Sequence, residues 1–236
     1  MTASPVIILA SGGLDSTVTA ALAKAEGHDL YMLTLDYGQR HRYEIECAKK
    51  IARWLDVHDH KILRLDLGVF GGSALTDQIP VPTNRSDSER GQGIPVTYVP
   101  ARNTIFLSLA LAYAEVMNAT KIYFGANVLD YSGYPDCRPE FIKAFTEVAK
   151  QGTRLGQEGR PIEIDAPLLL MSKREIIHKG QELGVPFHFT SSCYQPGADL
   201  RPCGRCDSCL IRQEGFRTAQ LADPTMMNDG VTGEKK

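Results

Sequence analysis

Between residues 6 and 67 the chain alternates between short apolar runs and helix-patterned stretches, and this constrains its fold more than any other feature. VIILA (6–10) reads as a buried strand. Residues from about Ser16 to Glu26 read as a helix, with Gly27 placed to stop it. DLYMLTLDYG (29–38) reads as a second strand. In the next stretch, 43–56, Ile45, Ala48, Ile51, Ala52 and Leu55 fall on one helical face. HKILRLDL (60–67) supplies a third strand. The order βαβαβ predicts an α/β fold: an open, parallel, twisted sheet with right-handed crossovers and helices on both faces.

The remainder extends this pattern after one interruption. Residues 68–100 are rich in Gly, Ser and Pro and lack periodicity. A segment of that kind is expected to be either a lid or a disordered surface insertion. A helix from Asn103 is apolar nearly all round, so it is expected to be buried. Strands are predicted at 121–127 and 187–191, and 161–169 reads as mostly extended. Helices are predicted at 139–151, 172–184 and about 207–221. Residues 1–222 are expected to form a single domain, with 223–236 a flexible tail.

The first strand–helix junction is Ser11-Gly12-Gly13-Leu14-Asp15-Ser16. Ligands of open parallel sheets bind at the carboxyl ends of the strands. There, free N–H groups at a helix start favour a phosphate or pyrophosphate. Adjacent glycines let the backbone approach closely, and Ser11 and Ser16 add hydroxyls. The loop is too short for a Walker loop and has no lysine to serve the β- and γ-phosphates. A grip made mainly by backbone suits cleavage between the α- and β-phosphates instead.

Four of the six cysteines, Cys193, Cys203, Cys206 and Cys209, follow the spacing C-x9-C-x2-C-x2-C within the loop 193–209. Two consecutive C-x2-C steps suit a tetrahedral zinc site of four thiolates; an iron–sulfur cluster fits these spacings less well. A closed shell leaves no position for substrate, so the zinc is expected to be structural. Cys47 is expected in the core of its helix.

A formal net charge of -2 argues against binding long nucleic acid. Arg201, Arg205, Arg212 and Arg217 could form a basic patch beside the cysteines or simply a solvated face. No run approaches the ~20 apolar residues of a membrane span, and residues 1–11 lack a basic signal-peptide region. The expectation is a cytoplasmic protein with reduced thiols and no membrane partner. The sequence does not fix the subunit number, and a homodimer is admitted.

SGGLDS resembles the SGGxDS signature of the N-type ATP pyrophosphatases, the PP-loop superfamily with an adenine nucleotide alpha hydrolase-like fold. DYGQRH (36–41), VPARN (99–103), YPDCRPEF (134–141), SKREII (172–177), SCY (192–194) and PCGRCDSC (202–209) narrow the resemblance. In this order, over nearly the whole chain, they resemble the 7-cyano-7-deazaguanine synthase family of queuosine precursor biosynthesis. The resemblance implies an ATP-dependent carbon–nitrogen ligase. It would convert 7-carboxy-7-deazaguanine and ammonia to the nitrile through an adenylated acid and an adenylated amide, releasing AMP and pyrophosphate. Two other readings remain at this point: another ammonia-using ATP pyrophosphatase, and a zinc-knuckle module that binds nucleic acid or protein.

Under the resemblance, Leu9, Ala10, Ser11, Gly12, Gly13, Leu14, Asp15, Ser16 and Thr17 hold ATP, with Asp15 beside pyrophosphate and Mg2+. Asp36 and Gln39, past the second strand, would line the adenosine side, while His41 is equally an exposed loop residue. Arg102 and Asn103 could reach the phosphates, and Lys173 could neutralise charge on the α-phosphate. Tyr134, Asp136, Arg138 and Asp130 are expected near the substrate. Asp136 or Asp130 would read the N1–H and 2-amino edge of the guanine-like ring, and Arg138 would hold a carboxylate or phosphate. Alternatively, Asp136 only caps the helix starting near Pro139. Cys137 is not expected to be a nucleophile, because adenylation already supplies activation.

Overall fold

A computed structural model describes residues 4–129 and 133–226. Its strands are β1 (Pro5–Leu9), β2 (Asp29–Asp36), β3 (Asp59–Arg64), β4 (Lys121–Phe124) and β5 (Glu163–Asp165). The helices are α1 (Leu14–Ala25), α2 (Tyr43–Leu55), α3 (Asp87–Arg90), α4 (Arg102–Met117), α5 (Pro139–Gly152), α6 (Arg154–Gln157), α7 (Lys173–Glu182) and α8 (Asp207–Thr218). The strands form one parallel sheet in the order β3-β2-β1-β4-β5.

The central strand shows why the apolar runs are continuous. Alternate side chains of a strand point to opposite faces, so a strand covered on both sides needs apolar residues throughout. Ile7 and Leu9 join one core with Leu107, Ala110 and Ala114 of α4 and Phe145 of α5. Val6 and Ile8 join a second core with Val18 of α1, Ile51 of α2, Ile176 of α7 and Phe216 of α8. These two cores confirm the doubly covered sheet.

Several expectations need correction. The helix α4 is apolar all round but buried along one face only, at Asn103, Leu107, Ala110 and Ala114, while Val116 is 77% exposed. The stretch expected as a strand at 187–191 forms a 3-10 turn at Phe187–Phe189. In the region expected to be extended, only Glu163–Asp165 is a strand. Residues 68–100 are tied into the fold rather than loosely inserted: Arg40 N–H donates to Leu75 O at 3.0 Å and Asn84 N–H to Arg205 O at 2.8 Å. The described structure also passes residue 222, where the Asp223 side chain, 6% exposed, accepts from Arg212 Nε at 2.7 Å and from its Nη2 at 3.0 Å. Among the described residues, no helix is long and apolar enough to cross a membrane.

Candidate active site

In the strand order β3-β2-β1-β4-β5 the chain direction across the sheet reverses between β1 and β4, and a crevice opens at their carboxyl ends. A cavity of about 270 Å³ lies there. Its floor includes Leu9 and Ala10 from the end of β1 and Phe124 and Gly125 from the end of β4.

The SGGLDS loop forms one wall through Ser11, Gly13, Leu14, Asp15 and Ser16. Gly12 has φ +84°, and a Cβ there would lie 2.1 Å from Glu44 O, so only glycine fits. Ser16 Oγ accepts from Ser11 N–H at 3.2 Å and donates to Gly13 O at 3.1 Å. Thr17 Oγ1 also donates to Gly13 O, at 2.8 Å, and Ser191 N–H donates to Gly12 O at 3.0 Å. The hydroxyls thus hold the turn from within. The amides of Leu14, Asp15 and Ser16 precede the first i−4 carbonyl of α1, so the helix offers them no acceptor. Gly12 and Thr17 shape this loop without lining the cavity.

Lys173 enters from the start of α7, which Ser172 and Glu175 close with a reciprocal capping box. Its Nζ lies 2.5 Å from Asp15 Oδ1, in a pair whose side chains are only 12% and 24% exposed. A Cβ on Gly215 of α8 would stand 2.2 Å from Lys173 Cγ, so the bare backbone of α8 makes room for the lysine stem.

The opposite wall is aromatic and basic. The Arg102 guanidinium stands 5.8 Å from the Tyr37 ring centroid and 5.9 Å from that of Phe106. Tyr134 OH shares a 2.9 Å hydrogen bond with Thr97 Oγ1. Burial pushes Tyr37 and Cys137 each up to about 12, so both keep their protons at neutral pH.

The sequence-predicted residues do not all converge here. Gln39 does: its Oε1 accepts from Tyr37 N–H at 2.8 Å and its Nε2 donates to Glu44 Oε1 at 2.9 Å. Asp36 does not, because it follows Leu35 and precedes Tyr37 and so points to the other side of β2. Its carboxylate is held by Arg42 and, at 3.2 Å, by Arg64 Nε. Asp136 is buried behind the wall, where Oδ2 accepts from Asn103 N–H at 3.1 Å. It therefore caps α4, not the helix at Pro139, which has no side-chain cap. Arg138 is exposed and lies off the cavity, while Asp130 lies outside the described residues.

Glu44, Tyr194 and Arg212 line the cavity without having been singled out for it in the sequence. Burial pushes the half-buried Glu44 carboxyl up to about 7, with the nearby Arg102 charge and the Gln39 hydrogen bond opposing the shift. Of the two readings left open for the arginines near the cysteines, a basic patch gains no support from Arg212 and Arg217, which pair with acids. Arg212 is 5% exposed and pairs with Asp223, whereas Arg217 pairs with Glu214 at 2.6 Å.

At the rim, the Sγ atoms of Cys193, Cys203, Cys206 and Cys209 all lie within 4.8 Å of one another. Tetrahedral zinc with Zn–S bonds of about 2.3 Å needs sulfurs about 3.8 Å apart, and Cys203 Sγ and Cys209 Sγ are 4.0 Å apart. The donor set and its geometry fit such an ion. The 68–100 segment meets this loop through a Thr83–Cys206 bridge and an Arg85–Asp207 ion pair.

The model of the family described as queuosine biosynthesis protein QueC matches residues 5–220. A 7-cyano-7-deazaguanine synthase from Saccharophagus degradans is 53% identical over 226 residues, covering 95% of this chain and 98% of that protein. One from Anaeromyxobacter dehalogenans is 54% identical over 220 residues, covering 93% and 94%. Among solved structures, NMN synthetase from Francisella tularensis overlays on 93% of this chain and 78% of its own, at 17% identity and a TM-score of 0.48.

Proposed function

From the premise that the chain belongs to the QueC family, we propose that it converts 7-carboxy-7-deazaguanine and ammonia to 7-cyano-7-deazaguanine, releasing AMP and pyrophosphate. One observation carries the reading at the level of chemistry. The amide-lined start of α1 sits at the sheet's switch point, with Lys173 and Arg102 lining the same cavity.

A carboxylate oxygen is a poor leaving group, and esterification to AMP makes it a good one. The first-turn amides of α1 would take the pyrophosphate end of ATP, where backbone donors and the helix dipole need no Walker lysine. Lys173 would then face the α-phosphate, where charge accumulates as the acid oxygen attacks. Asp15 holds Lys173 in place and is the loop carboxylate that would meet the Mg2+ accompanying ATP. Arg102, backed by Tyr37 and Phe106, supplies a fixed positive charge on the other wall. Tyr134 and Gln39 are the remaining polar contacts we assign to the bound small molecules. The amide formed from the acid would be adenylated in its turn, and loss of AMP would leave the nitrile.

We assign Zn2+ to the four cysteines. A closed thiolate shell supplies folding energy rather than an open coordination position. Four thiols that must stay reduced and metal-bound fit a cytoplasmic location.

The test is product analysis. Purified protein given ATP, an ammonium salt and 7-carboxy-7-deazaguanine should form AMP and pyrophosphate, two ATP per nitrile. Formation of ADP and orthophosphate would overturn the reading.

A further inference from the structure

Ammonia must lose a proton on becoming an amide nitrogen, so the cavity needs a base. Most of its titratable groups are otherwise engaged. The Tyr37 and Cys137 side chains hold their protons, and Asp15 is paired with Lys173. Two candidates remain on the wall, Glu44 and His41.

The structure favours Glu44. Its carboxylate is braced in sequence: the Tyr37 amide fixes Gln39, and Gln39 Nε2 donates to Glu44 Oε1 at 2.9 Å. That leaves Oε2 with no protein donor among the described residues. No cation lies within ion-pairing distance of the carboxylate among those residues either, so no salt bridge holds it in its charged form. A base oriented by a third group is the arrangement that proton transfer requires. Burial also lifts Glu44 close to neutrality, where a general base works best. No such brace holds the His41 ring among the described residues.

We propose that Glu44 is the general base for the nitrogen nucleophile, taking a proton from ammonia as it attacks the adenylated carboxyl carbon. The nitrogen lone pair forms the new C–N bond, and the C–O bond to AMP breaks with its electron pair leaving on the phosphate oxygen. One N–H proton passes to Glu44 Oε2 and from there to water. This inference rests on the adenylating function proposed above and adds the residue that serves its second half.

The two halves can be assayed apart. Acid-dependent exchange of labelled pyrophosphate into ATP reports adenylation and needs no ammonia. In Glu44→Gln, exchange should stay within about threefold of wild type while ammonia-dependent nitrile formation falls about 100-fold or more. Glu44→Asp should recover part of that loss. The proposal is overturned if Glu44→Gln keeps nitrile formation within about fivefold. It is equally overturned if exchange and nitrile formation fall together in both variants, or if His41→Gln alone abolishes the ammonia step. Absence of exchange in the wild-type enzyme would instead remove the adenylating function itself, before any variant is compared.

Discussion

Lys173 Nζ and Asp15 Oδ1 lie 2.5 Å apart, joining the first turn of α7 to the first turn of α1 across 158 residues of sequence. A cation held there can stabilise charge that appears only as the α-phosphate is attacked. Lys173→Met should therefore lower kcat by about 100- to 1000-fold, the range seen when one preorganised donor is removed. ATP affinity should change less than tenfold, because the first-turn amides of α1 remain. Nucleotide titration beside single-turnover AMP formation separates the two effects. A comparable loss in both would move Lys173 from the reacting centre to ground-state binding.

The four-cysteine loop makes a prediction about stability. A four-thiolate zinc site contributes apparent binding energy of about 10–16 kcal/mol, as large as the whole net stability of a typical domain. Chelation should therefore unfold the 193–209 loop. The 81–85 segment should lose amide protection with it, since Thr83 bridges Cys206 and Arg85 pairs with Asp207. Hydrogen exchange with and without chelator reads both segments. An apo protein that kept its Tm and lost only turnover would mean the metal is not structural.

The SGGLDS loop and the cysteine loop were the legible features, and the reason is physical. A loop that must turn its amides toward an anion needs glycine and small hydroxyls at fixed places, and a zinc knuckle needs cysteines at fixed steps. Both requirements are local, so both appear in the sequence. Contacts between distant segments are not written that way. An aspartate three residues before a prolyl helix start reads as its cap, yet Asp136 caps α4 instead, from 33 residues downstream. Asp36 reads as a site residue because it ends a strand, but strand alternation gives the cavity to Leu35 and Tyr37. Nothing local in the sequence singles out Glu44, and only the packing of α2 against the Gly12 turn brings it to the cavity. Asp223 follows a helix that looks finished, and its partner Arg212 lies 11 residues earlier.

Asp136 now carries a different expectation from a substrate contact. Its Oδ2 satisfies one of the orphan amides of α4, and Asn103 Nδ2 returns a bond to the Asp136 carbonyl at 3.2 Å. Asp136→Ala should cost about 1–2 kcal/mol in urea denaturation, the range for a lost helix cap. The KM values for acid and ATP should move together, by less than about threefold. A rise in acid KM alone of tenfold or more would place the carboxylate in the pocket after all.

The raised Glu44 carboxyl fixes a sign for the pH dependence of stability. Burial, assisted by the Asp36 charge and opposed by Arg102 and Gln39, moves it from 4.5 to about 7 in the folded protein. The unfolded chain releases this proton near the lower value, so folding takes up a proton between the two. The contribution to stability is complete below the unfolded value and is lost as pH rises through the folded one. Glu44→Gln has no such titration, so the variant should gain on the wild type as pH rises. Between pH 5.5 and pH 8 the gain should be about 2 kcal/mol, at about 1.4 kcal/mol per unit of pKa difference traversed. Other titrating groups, including His41, His60 and the four clustered cysteines, are present in both proteins and cancel in the difference. Paired urea denaturation at the two pH values measures it, and a difference that stays flat would mean that Glu44 is ionised and well solvated in the folded state.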